Sequence, residues 1–188
     1  AIDQTAADEL ERALRLERSI ELTLAEKTEA SSSRRREEVR ALAARCLTYF
    51  DQFNPVITSL NDTDQRSWWH SHFLTLRTAV ARSSESADAL LDCLEKRQRG
   101  DAEELLQLIY GYSPNALSTG KAADLVDFLE HNKLIFRVLA RENLQWITGL
   151  PDPYYRPEHP AAKRKRYVKN WRKKLEAGEI VYDELPLE

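Results

Sequence analysis

The sequence predicts an all-α protein of about eight helices, arranged as stacked helical hairpins. Apolar residues recur at intervals of three and four positions along most of the chain, which is the period of an amphipathic helix. Five glycines interrupt this pattern, and each falls at the end of an apolar segment, where a helix cap or a turn is expected. No segment gives a clear β-sheet pattern.

Residues 119–149 predict the central element, a hairpin of two helices. Its first helix has one apolar stripe and its second is apolar on almost all sides, as expected of a helix inside a packed stack. The stripes consist of Ala122, Leu125, Val126 and Leu129, followed by Leu134, Ile135, Val138, Leu139, Leu144, Trp146 and Ile147. The segment His131-Asn132-Lys133 lies between the two helices, which predicts a tight turn. A hairpin of about 30 residues is the size of one unit in helical-repeat proteins.

Residues 1–30 predict an N-terminal end helix with many charges, and four more helices are predicted before the hairpin. Asn54 and Pro55 end the first of these four, because the residue before a proline disfavours helix. Asp62 and Gln65 have the spacing of a capping box that opens the second. The four apolar stripes are Val39, Leu42, Ala43, Cys46, Leu47 and Phe50; Trp69, Phe73, Leu76 and Val80; Ala87, Leu90, Leu91 and Leu94; and Leu105, Leu108, Ile109 and Tyr112.

The chain changes character after the hairpin, where residues 150–160 contain four prolines. Proline lacks an amide proton and disfavours helix in the residue before it, so an extended crossover is predicted here. A last helix follows, with Val168, Trp171 and Leu175 as its buried stripe. The predicted segments are the end helix (1–30), a helical-hairpin stack (34–149), the proline-rich crossover (150–160), a basic C-terminal helix (161–178) and a tail (179–188).

Composition limits the class of protein. At 188 residues the chain can bury one sizeable core, so a single α-helical domain over 1–188 is predicted. No apolar run approaches the roughly 20 residues that cross a bilayer, and we expect no membrane span. The net charge of −3 gives no global attraction to nucleic acid or anionic lipid. Because the chain starts at Ala1 and has no methionine, we expect a processed chain or a part of a longer protein.

The residues that usually carry chemistry do not form a recognisable site. Cys46 and Cys93 each lie in an apolar stripe, which favours buried free thiols over a disulfide and fits a reducing compartment, although an oxidising one stays open. His70 and His72 point to different sides of a helix and cannot share a metal. No nucleophile elbow, phosphate-binding loop or zinc spacing is present. We therefore expect no catalytic residue, no metal and no cofactor.

The strongest local signal is the basic helix together with the tyrosines of the crossover. Its cations can grip phosphates or an acidic protein surface, or they can form the ordinary solvated face of an end helix. The tyrosines belong to a proline-rich connection, which is expected to be exposed. The candidate interaction residues are Tyr154, Tyr155, Arg156, Lys163, Arg164, Lys165, Arg166, Lys169, Arg172 and Lys173.

From about Arg34 onward the chain resembles a C-terminal α-helical domain of uncharacterised planctomycete-type bacterial proteins, described as HEAT-like or armadillo-like. The segments that carry the resemblance are EVRALAARCL, WWHSHFLTLRTAVARS, EELLQLIYGYSP, LVDFLEHNKLIFRVLARENLQWITG, YYRPE and VKNWRKKLEAGEIVY. The resemblance implies an irregular HEAT- or armadillo-like α-α superhelix within a larger chain. It implies no catalytic residues.

Stacked hairpins offer a continuous surface for partners, so the predicted function is a non-catalytic protein-protein interaction or scaffolding domain with an unidentified protein partner. One alternative is nucleic-acid or polyanion binding through Lys163 to Lys174 of the basic helix. The other alternative is an enzyme of unknown type, for which a deep pocket with convergent polar groups would be the sign.

Overall fold

The computed structural model describes residues 34–183 together with the isolated positions 4, 7–8 and 11–12. The predicted end helix, except at those positions, and the last five residues of the tail lie outside the described part. The chain divides into two compact units, 1–102 (unit 1) and 103–188 (unit 2). No feature of the sequence had indicated a division inside the predicted hairpin stack, and the single domain over 1–188 stays a prediction.

The described residues confirm the all-α fold with about eight helices and contain no strand. The helices are α1 (Arg34–Thr48), α2 (Asn54–Leu60), α3 (Trp69–Arg82), α4 (Ser84–Arg97), α5 (Ala102–Tyr110), α6 (Ala122–Phe128), α7 (Leu134–Thr148) and α8 (Ala161–Glu176). A 3-10 helix (Thr63–Trp68) precedes α3, and two short helical turns (Pro114–Ala116 and Leu117–Lys121) precede α6. None of the described helices combines the length and the apolar character that a bilayer span requires.

Unit 1 contains α1 to α4. α1 packs against α2 and α3, and α3 packs against α4. The indole of Trp69 is buried, and its Nε1 donates a hydrogen bond to the carbonyl oxygen of Ser59 at 3.0 Å. Phe50 was predicted in the stripe of α1, but it lies beyond the end of that helix and is exposed. The large side chains that fill this core are Leu47, Phe53, Ile57, Leu60, Phe73, Leu76, Leu90 and Leu94.

Two local expectations for unit 1 were incomplete. Pro55 does not end the helical structure but lies in the first turn of α2, where a missing amide proton costs nothing. Asp62 caps the 3-10 helix by accepting from the backbone N of Asp64 at 2.9 Å. Gln65 does not complete a capping box, because its buried Nε2 donates to the carbonyl oxygen of Glu37 at 3.2 Å.

Unit 2 is built on the predicted central hairpin, which is formed by α6 and α7. α7 is buried on almost all sides, as its apolar pattern predicted. Inside the core, the Asn143 amide donates to the carbonyl oxygens of Leu108 and Leu139 at 2.7 and 2.8 Å. α8 packs against α6. The hairpin therefore supplies the base on which the crossover and the basic helix lie.

The tail folds back onto unit 2 through residue 183. Ile180 is buried, and the hydroxyl of Tyr182 donates to the carbonyl oxygen of Tyr112. The backbone N of Asp183 donates to the carbonyl oxygen of Ile147 at 2.8 Å, next to the end of α7. These contacts fix the tail against the C-terminal end of the hairpin.

Gly149 ends α7 in the left-handed conformation, with φ of 63°. A Cβ atom at this position would lie 2.6 Å from Oδ2 of Asp183. We expect Gly149→Ala to lower the free energy of unfolding by about 2 kcal/mol, because left-handed strain of roughly 1 kcal/mol adds to the displacement of Asp183. Gly178→Ala is the control, since Gly178 has φ of 71° but open space around it. Equal losses for the two variants in urea unfolding would contradict the steric contribution.

Candidate interaction surface

The proline-rich crossover is held in place by the carboxylate of Asp152. Its Oδ1 accepts hydrogen bonds from the backbone N atoms of Tyr154 and Tyr155, at 3.1 and 2.9 Å. Its Oδ2 accepts from the buried Trp171 Nε1 of α8 at 2.7 Å. One short side chain therefore shapes the turn of the crossover and joins it to the basic helix.

Tyr155 was predicted on the surface, and this was wrong, because its side chain is 1 % exposed. Its hydroxyl donates to the carbonyl oxygen of Leu129, at the end of α6, at 2.6 Å. Burial raises the pKa of this phenol well above its ordinary value. Arg137 of α7 reinforces the same attachment, since its Nε donates to the carbonyl oxygen of Pro157 at 2.7 Å. Tyr155 is therefore an anchor of the crossover.

Arg164 was also predicted as an interaction residue and is instead buried, with 6 % exposure. Its Nη1 donates to the carbonyl oxygen of His159 at 3.0 Å. It lies four residues before Val168 and seven before Trp171, on the inner face of α8. The spacing alone could have predicted this burial, because a residue four and seven positions before two apolar residues of a helix lies on the same face as they do.

Tyr154 lies on the surface, as predicted, and is 70 % exposed. Its ring is nearly parallel to the ring of Tyr167 on α8, with an interplanar angle of 9° and 6.3 Å between centroids. The guanidinium of Arg166 lies 5.8 Å from the centroid of Tyr167. The exposed tyrosine of the crossover is thus placed against Tyr167 of the basic helix, close to Arg166.

The exposed cations of α8 differ in whether they already have partners. Within residues 34–183, the ion pairs of this helix are those of Arg172 and Lys174. Arg172 forms ion pairs with Asp127, in the last turn of α6, and with Glu130, beyond the end of that helix. Arg156, on the crossover, is exposed and lies 3.9 Å from Glu158. The cations of α8 that are exposed and have no ion pair with a described residue are Lys163, Lys165, Arg166, Lys169 and Lys173.

Three of these cations share one side of α8, since Arg166, Lys169 and Lys173 are three and four residues apart. Lys163 precedes Arg166 by one turn. Tyr167 is two residues from Lys169 and points to another side of the helix, so the tyrosine pair adjoins this row of cations at Arg166. We call the row of cations, together with the tyrosine pair at its edge, the basic-aromatic face. Its members are Tyr154, Lys163, Arg166, Tyr167, Lys169 and Lys173.

The other aromatic residues do not join this surface. Trp68, Trp69 and Trp171 are buried, as gap-filling aromatic residues usually are, whereas Trp146 is half exposed. The two cysteines are free and half-buried, not fully buried as the stripes predicted, and burial raises the pKa of both thiols. Within the described residues, no three His, Cys, Asp or Glu side chains converge in a way that would hold a metal ion.

Comparisons of this chain with protein-family models, with curated proteins and with solved structures gave no match. The resemblance to a HEAT-like bacterial domain therefore stays a prediction.

Proposed function

We propose that this chain is a non-catalytic protein-protein interaction or scaffolding domain, and that its basic-aromatic face binds an acidic segment of a partner protein. The observation that carries the proposal is the placement of Tyr154. This ring is 70 % exposed, yet it is stacked on Tyr167, its backbone is held by the Asp152 turn, and Arg166 lies against the other ring of the pair. A large exposed aromatic ring held next to a cation is typical of a binding surface.

The cations support the proposal because binding a partner would not disrupt any ion pair that they form with described residues. Arg166, Lys169 and Lys173 lie on a regular helix and have no ion pair with a described residue, so no internal salt bridge must break. Exposed cations on one side of a helix accelerate association with an acidic surface and favour one orientation of it. Helical hairpins of the kind formed by α6 and α7 also suit a scaffolding role.

The stacked tyrosine pair favours a second candidate, the binding of single-stranded nucleic acid. Exposed aromatic rings beside cations stack on bases while the cations contact phosphates. The net charge of −3 argues against non-specific attraction of a polyanion to the whole chain, so such binding would depend on the basic-aromatic face. The two candidates therefore differ in how strongly the affinity for the acidic peptide or for RNA depends on the ring of Tyr154.

The test is a fluorescence-anisotropy titration of a labelled glutamate-rich peptide and of a labelled single-stranded RNA, at low and at moderate salt. We expect Lys169→Glu/Lys173→Glu to weaken binding of the acidic peptide at least about tenfold at low salt, because these cations supply the electrostatic attraction. Lys96→Glu/Arg99→Glu is the matched control, since it makes the same change of charge at exposed positions in or near α4 of unit 1.

Tyr154→Ala separates the two candidates. For an acidic peptide we expect a loss of no more than about threefold, whereas for RNA the loss of one base-stacking contact predicts about tenfold or more. Binding of RNA alone, with that dependence on Tyr154, would replace the preferred function by the second one. Equal losses for the unit 1 control and the α8 variant would contradict both, because the binding would then follow total charge.

A further inference from the structure

Unit 2 contains a second charged feature, which is acidic. A cleft of about 420 Å³ is lined by residues of α5, of α6 and of the chain next to them. Four of the lining residues carry carboxylates and one carries an amine, so the cleft is negatively charged at neutral pH. The lining residues are Glu103, Glu104, Gln107, Tyr112, Lys121, Asp124, Asp127 and Phe128.

Tyr112 gives this cleft a polar group at its buried wall. The residue is only 7 % exposed, and no described residue forms a hydrogen bond with its hydroxyl, although its backbone oxygen accepts from Tyr182. Burial, with the nearby charges of Asp124 and Glu104, raises the pKa of Tyr112 to about 12, so the phenol keeps its proton. A neutral hydroxyl that faces carboxylates can accept a hydrogen bond from a cation held between them.

The carboxylates of the cleft differ in their present partners. Asp124 accepts from Lys121 Nζ at 2.8 Å, and Asp127 lies 3.5 Å from Arg172 Nη2. Glu103 and Glu104 are exposed on the first turn of α5 and have no ion pair with a described residue. The ion pairs of Asp124 and Asp127 show that ammonium and guanidinium groups can reach the carboxylates of the cleft. The carboxylates of Glu103 and Glu104 are not neutralised by a described cation and can attract a bound one.

The cleft also has an apolar wall. Phe128 is half-buried, and its ring is held by contacts with His131 and Phe136, at centroid distances of 6.1 and 5.1 Å. An aromatic wall suits a cation that carries methylene groups, because the stem packs on the ring while the charged end meets the carboxylates. A bare metal ion would instead need a tight cluster of ligands, and the described residues contain no such cluster.

We propose that this cleft is a binding site for an organic cation, an alkylammonium or guanidinium group, with Tyr112 and Phe128 as its wall. The cation is held by Glu104 and by Asp124, whose exposed ion pair with Lys121 it replaces at little cost. Such a group can come from a free polyamine or from a lysine or arginine side chain of a peptide. The site is separate from the basic-aromatic face, and the proposal does not depend on the function proposed for that face.

The test is isothermal titration calorimetry of the whole chain with spermidine and with a blocked Lys-Arg-Lys-Arg peptide at low salt. We expect saturable binding of at least one probe with a dissociation constant below about 1 mM. Glu104→Gln/Asp124→Asn should weaken it about tenfold or more, since both charged partners of the cation are removed. Tyr112→Phe should weaken it about threefold without a change in the unfolding transition, because the hydroxyl has no described internal partner.

The matched control is Asp92→Asn/Glu95→Gln, which neutralises two exposed carboxylates on α4 of unit 1. It should leave the affinity unchanged. Binding of spermidine would assign a free polyamine, and binding of the peptide alone would assign a basic segment. The proposal would be overturned by the absence of saturable binding, by an equal loss in the control, or by sedimentation showing self-association that Glu104→Gln/Asp124→Asn abolishes. In that last case the cleft would bind the basic-aromatic face of a second copy.

Discussion

His72→Leu is expected to abolish part of the pH dependence of stability. Between pH 7 and pH 5 the free energy of unfolding of the parent chain should fall by about 2 kcal/mol because of His72, and the variant should not show this fall. His72 lies on α3 and is fully buried, and neither ring nitrogen has a hydrogen-bond partner among the described residues. Burial, with the charges of Arg45 and Arg40 on α1, lowers its pKa from 6.5 to about 3. The folded state therefore keeps this imidazole neutral over a wide range of pH.

The sign follows from proton binding. Below pH 6.5 the unfolded chain binds a proton at His72 that the folded chain does not, so stability falls as the pH is lowered towards 3. The full loss over that window is on the order of 4 kcal/mol, at 1.36 kcal/mol for each pKa unit. Leucine has a similar volume and no polar atoms, so we also expect equal or higher stability at pH 7, because two unpaired buried nitrogens are removed.

Urea unfolding at pH 7, 6 and 5, with hydrogen exchange to follow the amides of α3, measures this effect. His70→Gln is the control, because His70 is exposed on the same helix and this variant removes a histidine while it keeps the buried imidazole of His72. A His72→Leu chain that loses as much stability between pH 7 and pH 5 as the parent would show that other groups titrate in this window.

Asp152→Ala is expected to lower the free energy of unfolding by about 3 kcal/mol. The carboxylate accepts from two backbone amides and from Trp171 Nε1, and hydrogen bonds to charged groups contribute about 1.5–3 kcal/mol each when they are protected from water. Asp152 is only partly buried, so the expected loss of stability is smaller than the sum of three such contributions. Trp171 is 4 % exposed, and its indole N–H would be left without this acceptor.

Two further variants resolve this effect. Asp152→Asn should lose less than the alanine variant, because the amide oxygen still accepts from the backbone of the turn while the Trp171 bond is weakened. Glu158→Ala, in the same crossover, breaks only an ion pair of 3.9 Å and should stay within about 0.5 kcal/mol of the parent. The comparison uses urea unfolding monitored by tryptophan fluorescence. A loss below about 0.5 kcal/mol for Asp152→Ala would mean that water replaces the carboxylate without cost.

The sequence predicted most of the helices because helical periodicity is local. The stripes of α3, α5 and α7 are buried as expected, except at Trp146 of α7, which is half exposed. Residues three and four apart share a helix face whatever the partner. The prediction was wrong at α2, where Pro55 was interpreted as the end of the preceding helix although proline is also favoured in the first turn of a new helix. The same period would have placed Arg164 on the inner face of α8, had the basic run not been interpreted as one exposed surface.

The exposure of the crossover could not be predicted in this way, because an extended proline-rich segment has no period that distinguishes inside from outside. Tyr154 and Tyr155 are neighbours of the same type, and one is 70 % exposed while the other is 1 % exposed. What separates them is the carbonyl oxygen of Leu129, which lies 26 residues earlier in the chain and accepts from Tyr155. The acidic cleft was missed for a related reason, since its carboxylates come from α5 and α6, which are separate in the sequence and line one cleft only in the folded unit.

The amino-acid pattern alone therefore predicts where most helices lie, which of their faces are apolar and where glycine ends them, because each of these features depends on neighbours within about one helical turn. The burial of loop residues, the pairing of cations and the sharing of a cleft by carboxylates are seen only in the folded chain. These properties depend on groups that are distant in the sequence and meet only after α5, α6, α7 and α8 have packed together.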